Sequence, residues 1–171
     1  MVNKTDWEPF AAATGVSLDD LRTIEGVTAA AQAYYEWTDS QTPDIPGDGR
    51  ALYGRDAVAN YFIIGMQQLG VEIFQVENGQ VTLNTPKEEL HRLWENYYVP
   101  MVKGYFGAYG SFRSDDVKTG DLLVYTGSTS SAMYFPNQVE LDDKSYEIDY
   151  IVMSAPVFEG GRQYAVQQGA G

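Results

Sequence analysis

Asp121-Leu-Leu-Val-Tyr-Thr-Gly127-Ser-Thr-Ser-Ser131-Ala-Met-Tyr-Phe135 reads as an apolar strand running into a hydroxyl-rich glycine turn that opens a short helix. The free N–H groups of a helix start, with short hydroxyls beside them, offer many hydrogen-bond donors and acceptors but no fixed charge and no strong nucleophile. Such a turn suits a neutral, hydroxyl-rich ligand better than a bond-breaking reaction. The plainer alternative is that Gly127 and Ser128 make a tight turn and Ser130 or Ser131 caps the helix.

Upstream of that strand, helix and strand alternate without an internal repeat, which favours an α/β domain. A short helix over Asp6 to Ala13 closes on Gly15. Ser17, with Asp20 at the third position, then starts a long helix whose Leu21, Ile24, Thr28, Ala31 and Tyr35 fall at core spacing. Residues 40–50 carry two prolines and two glycines and form a loop. A second helix begins near Arg55 or Asp56, with Asp56 as a candidate cap, and stops at Gly70. Asn78-Gly79 then closes a β-hairpin between Val71–Val76 and Val81–Asn84. Thr85-Pro86-Lys87-Glu88 starts a further helix that buries Leu90, Leu93, Trp94 and Tyr97 and is kinked by Pro100. Beyond the opening strand, Tyr146 to Met153 reads as one more strand.

The 171 residues, 44% hydrophobic and 13% aromatic, are enough for one full core. A formal charge of −13 with a single histidine, His91, argues against a nucleic-acid surface and against anionic membranes. No apolar run is long enough to span a membrane, and the first residues lack the pattern of a signal peptide. The absence of cysteine rules out disulfides and thiolate chemistry and leaves the compartment open. Both ends read as cut: Met1-Val-Asn-Lys looks like the tail of a strand, and Gly160 to Gly171 ends in a glycine turn with no closing helix. The expectation is a piece of a longer polypeptide.

The order of motifs resembles the extracellular solute-binding proteins of ABC importers, of the carbohydrate-binding, maltodextrin-binding-protein-like type. Val2-Asn3-Lys4, Trp7 to Gly15 and Ser17-Leu-Asp-Asp-Leu21 follow the family's opening, although the tryptophan usual in the last phrase is missing. Leu69-Gly70, Asn78-Gly79 and the helix from Thr85 continue it, and Thr119 to Ser128 occupies the place of a ligand-facing turn. Ala51-Leu-Tyr-Gly-Arg-Asp-Ala57, Leu93 to Pro100, Phe112-Arg-Ser-Asp-Asp116 and Ala165 to Gly171 look like a lipoprotein subfamily from Gram-positive bacteria.

The resemblance implies one lobe of a type II periplasmic-binding-protein-like clamshell, with αβα layers, a small sheet and a hairpin. Residues 1–158 form the lobe, and residues 159–171 return towards a second lobe. It further implies an extracellular, membrane-anchored lipoprotein that closes on a sugar or oligosaccharide and delivers it to a membrane permease. No cofactor, metal or catalysis is implied, and this chain alone is expected to be a monomer holding half a site.

Sugar recognition needs aromatic faces for the apolar side of a pyranose and planar polar groups for vicinal hydroxyls. The candidate aromatics, placed in loops at element ends, are Trp37, Tyr53, Phe112 and Tyr134. Arg55 and Asp56 sit beside Tyr53, where an arginine fork can take two hydroxyls; the alternative is a capping aspartate with a solvated arginine. Arg113 with Asp115 and Asp116 forms a similar polar loop, or else a structural salt bridge. Ser128, Thr129 and Ser130 complete the candidate set, and Gln167 and Gln168 lie near the expected hinge. A glycan-acting enzyme, with Asp56 paired to Asp115 or Asp116, is the alternative activity; a non-catalytic interaction domain is a third. Asp44–Asp48 and Asp142-Asp143 lack the spacing of a calcium loop.

Overall fold

Val2 lies in the middle of a sheet, and its neighbours come from the far end of the chain. In the computed structural model, which describes residues 1–167, β1 (Val2–Asn3) pairs antiparallel with β5 (Val124–Thr126) on one side and β8 (Tyr150–Ile151) on the other. β2 (Tyr53–Arg55) adds to the outer side of β5 in parallel, giving the order β2-β5-β1-β8. The described residues form a mixed α/β fold, with small sheets and no barrel among them.

The helices form where local signals and burial agree. Asn3 caps α1 (Lys4–Thr14) by accepting from the Asp6 amide at 3.1 Å, and Gly15 ends it in the left-handed region at φ 79°. The long helix expected from Ser17 is instead two pieces. A 3₁₀ turn, Leu18–Arg22, is held at its start by Asp20, whose carboxylate accepts from the Ser17 amide at 2.7 Å. The chain then extends at Thr23, which caps α2 (Ile24–Asp39) through the Gly26 amide. Tertiary structure causes the break: Val157 inserts there, donating to Arg22 O and accepting from the Ile24 amide, both at 3.1 Å. The buried stripe of α2 accordingly shifts to Ile24, Val27, Ala30, Ala31 and Tyr34, leaving Thr28 and Tyr35 half-buried.

α3 (Val58–Gln68) starts two residues after Asp56, and the residue in the capping position is Ala57, not Asp56. Ala57 is left-handed (φ 53°), a conformation that costs a non-glycine residue on the order of 1 kcal/mol. The expected hairpin is present as β3 (Phe74–Glu77) and β4 (Gln80–Leu83), with Asn78 and Gly79 both at positive φ. Its cross-strand pairs Phe74 with Leu83 and Val76 with Val81 put four apolar side chains on one face, and all four are exposed.

The helix after the hairpin is also divided, into α4 (Lys87–Glu95) and α5 (Tyr98–Val102), with Pro100 inside the second piece. Pro86, not Thr85, holds the capping position, and no side chain caps the helix. Trp94, expected in the core, is 53% exposed and stacks on Tyr98 with ring centroids 3.9 Å apart. Leu90, Leu93 and Tyr97 define the inward stripe, and Trp94 falls just past its edge.

The supposed loop at Arg113–Asp116 is helix α6 (Arg113–Lys118). The supposed strand from Tyr146 to Met153 is split. Ser145–Glu147 is β7, paired with β6 (Gln138–Glu140), while β8 belongs to the main sheet.

Residues in and just before the strands of the main sheet feed different cores. Leu52, Tyr53 and Val124 pack with Trp7, Phe10, Val27 and Tyr34 of α1 and α2. Ala51 and Tyr125 pack with Val117, Phe135 and Val139 on the other side. A third cluster joins α3 and α4 through Tyr61, Met66, Leu93 and Phe158. No helix among the described residues is long and apolar enough to cross a membrane.

The density of buried tyrosine gives the fold an alkaline limit. Burial raises the pKa of Tyr34, Tyr61 and Tyr97. It also pushes Tyr125 and Tyr146 up to about 12, with further help from the charges of Asp56 and Asp6 respectively. A phenol that holds its proton more tightly when folded contributes stability that is complete below its unfolded value of 10.0 and is lost as pH rises through about 12. Tyrosinate absorbance is therefore expected to rise together with loss of circular dichroism in this window. Titration of these phenols with the fold intact would contradict the assignment.

Candidate functional site

The parallel pair β2 and β5 ends at one edge of the sheet, and a cleft of about 950 Å³ opens there. Clefts in α/β sheets favour this place, because parallel strands release their loops and polar termini at the same end. Tyr53, Arg55 and Asp56 supply the β2 side of the cleft. Tyr125, Thr126 and the turn Gly127-Ser128-Thr129 supply the β5 side, and Phe112 stands at the entrance.

Hydrogen bonds fix the floor. The Tyr53 hydroxyl donates to Thr126 Oγ1 at 2.9 Å and accepts from Arg55 Nε at 3.2 Å. Arg55 lies over the face of Tyr61, 5.1 Å from its centroid. Asp56 faces away from α3: its Oδ1 accepts from the Arg113 amide at 3.2 Å and lies 3.8 Å from Arg113 Nε.

Ser128 occupies the capping position of the 3₁₀ helix Thr129–Tyr134 but makes no capping bond. Its hydroxyl pairs instead with those of Ser130 at 2.8 Å and Ser131 at 3.2 Å. Neither Ser130 nor Ser131 caps the helix. Gly127 is required for this clustering, since a Cβ there would lie 2.7 Å from Ser131 Oγ.

Two further segments, Val152–Pro156 and Tyr164–Gln167, also line the cleft. Gln68, 3% exposed, ties them to α3. Its Oε1 accepts from the Phe158 amide at 3.1 Å, and its Nε2 donates to Tyr164 O at 3.4 Å and Pro156 O at 3.5 Å. Arg162 N adds a bond to Gln68 O at 2.8 Å.

The candidate residues divide accordingly. Tyr53, Arg55, Asp56, Phe112, Ser128 and Thr129 come together on the cleft. Tyr53 and Arg55 do so from a buried strand, and not from the loop and the helix start expected of them respectively. Trp37 does not reach the cleft; it packs against Phe10 and Tyr34, 5.7 and 5.9 Å between ring centroids. Tyr134 is exposed and Ser130 points into the hydroxyl cluster, both outside the cleft lining. Arg113 is buried in an ion pair with Asp116, Nη1 to Oδ2 2.8 Å. Gln167 lines the cleft, and Gln168 lies outside the described residues.

Sequence reasoning missed Gln68 and Tyr125. Both sit at core-like positions of regular elements, where nothing in the local pattern distinguishes a cleft wall from an interior. Among the described residues no cluster of three or more histidines or acids is placed to hold a metal ion. No family model, no curated protein and no solved structure matches the chain.

Proposed function

We propose that the chain is the ligand-binding lobe of an extracellular solute-binding protein, the substrate-binding component of an ABC importer. In this reading it captures a sugar or oligosaccharide by hinge closure against a second lobe and delivers it to a membrane permease, in a protein anchored as a lipoprotein. The observation that supports it most is the cleft at the ends of β2 and β5. It is lined with hydroxyls, tyrosine and an arginine, the chemistry that pairs with vicinal hydroxyls and stacks on pyranose faces.

The carboxylates available to a glycan-acting enzyme are engaged structurally. Asp116 is held by Arg113 and by the Tyr109 and Gly110 amides, and Asp115 accepts from the Phe112 amide at 3.0 Å. The exposed apolar face of β3 and β4 favours a second reading, a non-catalytic interaction domain.

A thermal-shift screen of the two-lobed protein against mono- and oligosaccharides, with this chain alongside, separates these readings. At a ligand excess of about a hundred times Kd, binding adds about 2.7 kcal/mol and raises the melting temperature by roughly 5–10 °C. A saturable shift in the two-lobed protein is the expected result. No shift with any glycan removes the carbohydrate reading, and release of new reducing ends during incubation replaces it with the enzyme.

A further inference from the structure

Arg55 is the one buried cation among the described residues without a carboxylate partner. The other buried arginine, Arg113, is 5% exposed and sits 2.8 Å from Asp116. Arg55 is 9% exposed, and its protein contacts are the Nε bond to the Tyr53 hydroxyl and the face of Tyr61. The four N–H donors on Nη1 and Nη2 meet no acceptor among the described residues and, since no buried side-chain nitrogen there lacks a partner, they open onto the cleft.

A guanidinium that is largely buried, with no carboxylate beside it and its terminal nitrogens open, is equipped to pair with a carboxylate or another anion that reaches it. The neighbouring acids are taken. Asp56 is turned to Arg113, and Glu25, which with Arg55 acts electrostatically on Tyr61, is paired with Arg92. Arg55 also lines a small void of about 10 Å³, bounded by Ile24, Val27, Tyr61 and Tyr97 among others, which has room for at most one water and none for an anion. The open side of Arg55 is on the cleft, so an anion reaches it from there.

We infer that the ligand carries a carboxylate and that Arg55 receives it as a two-pronged pair on Nη1 and Nη2, which makes the substrate class an acidic sugar of the uronate type. The assignment of a sugar rests on the reading proposed above; the assignment of an anion rests on Arg55 alone. The planar fork is pre-organised, since Tyr53 fixes Nε and Tyr61 supports the flat face, so little side-chain freedom is lost on binding. With a formal charge of −13, the rest of the chain repels anions. A local uncompensated cation is then a selective device, admitting an acid only where it can be paired.

The test follows the side-chain Nε–H resonance of Arg55 in the isotope-labelled two-lobed protein, which holds the whole site. It is titrated at constant ionic strength with glucuronate, galacturonate, glucose, galactose, acetate and inorganic phosphate. Saturable shifts with a uronate, at roughly tenfold lower concentration than with the matching neutral sugar, are expected. Acetate should act more weakly than the uronates. Arg55→Met should abolish the uronate response measured on neighbouring amides, and Arg55→Lys should restore part of it.

Equal responses to neutral and acidic sugars overturn the inference while leaving the carbohydrate reading intact. Responses to acetate or phosphate that match or exceed those to uronates keep the anion site and remove the sugar. No response to any anion overturns the inference outright, and because it is read on the unmutated two-lobed protein, neither misfolding of a variant nor a missing half of the site can mask it.

Discussion

Asp116→Ala is expected to lower the melting temperature by roughly 10 °C, corresponding to a loss of about 3–5 kcal/mol. Asp116 is 1% exposed, accepts two hydrogen bonds, from the amides of Tyr109 at 3.2 Å and Gly110 at 2.5 Å, and forms an ion pair with Arg113 Nη1 at 2.8 Å. Truncation strands the two amides and leaves the Arg113 guanidinium, which keeps its bonds to Gly107 O and Gly110 O, buried without its closest counter-charge. Asp56 stands 3.8 Å from Arg113 Nε and compensates only in part.

Two controls sharpen the measurement. Asp115→Ala removes a bond to the Phe112 amide on an exposed side chain and should cost about 1 kcal/mol. Arg113→Met combined with Asp116→Ala should be less damaging than Asp116→Ala alone, because the charge is then removed with its partner. Urea denaturation of the four proteins decides the matter. A loss below about 1 kcal/mol for Asp116→Ala would mean that the pair is energetically idle.

The second large effect is expected at Gly54, in the middle of β2. A Cβ there would lie 2.6 Å from Leu122 Cδ1, 2.7 Å from Gly107 O and 2.8 Å from Arg113 Cδ. Leu122 can rotate, but the carbonyl of Gly107 cannot retreat without breaking the bond from the Gly107 amide to Tyr53 O at 2.9 Å. Gly54→Ala should therefore cost about 3 kcal/mol. Its functional consequence is larger than its volume suggests. Tyr53 and Arg55 flank the glycine, so a shift of the strand displaces both from the cleft floor and ligand response should fall with stability. A Gly54→Ala chain with unchanged melting temperature would show that the strand has slack.

Much of this architecture is written in short-range signals. Gly15 and Asn78-Gly79 sit where positive φ is needed, and the loop over residues 40–50 follows from its prolines and glycines. The errors have one origin, since each depends on a partner distant in sequence. The helix at Ser17 is interrupted by Val157, a residue more than a hundred positions away. Tyr53-Gly-Arg55 is too short and too rich in polar atoms to read as a buried strand, yet pairing with Val124–Thr126 makes it one. The Tyr146–Met153 stretch is divided because its two halves answer to different sheets.

The site follows the same rule. The hydroxyl turn and the Tyr53–Asp56 phrase are visible as chemistry in one dimension. That they share a cleft, while Trp37 and Arg113 turn into the core, is decided only by the packing of α1, α2 and α6.

The position of β1 also governs the order in which the molecule can assemble. Its partners, Val124 and Ile151, lie near the other end of the chain, and β2 reaches the sheet only through β5. During synthesis, at about 5–20 residues per second, the first strand waits on the order of ten seconds before either neighbour exists. Until then the apolar faces of α1 and α2 have no sheet to cover them. The sheet is therefore the last thing to form, and folding is slow relative to a domain of similar size built from local contacts. Pulse-labelled nascent chains arrested before residue 124 should be protease-sensitive throughout, and resistance should appear abruptly once Ile151 has cleared the ribosome.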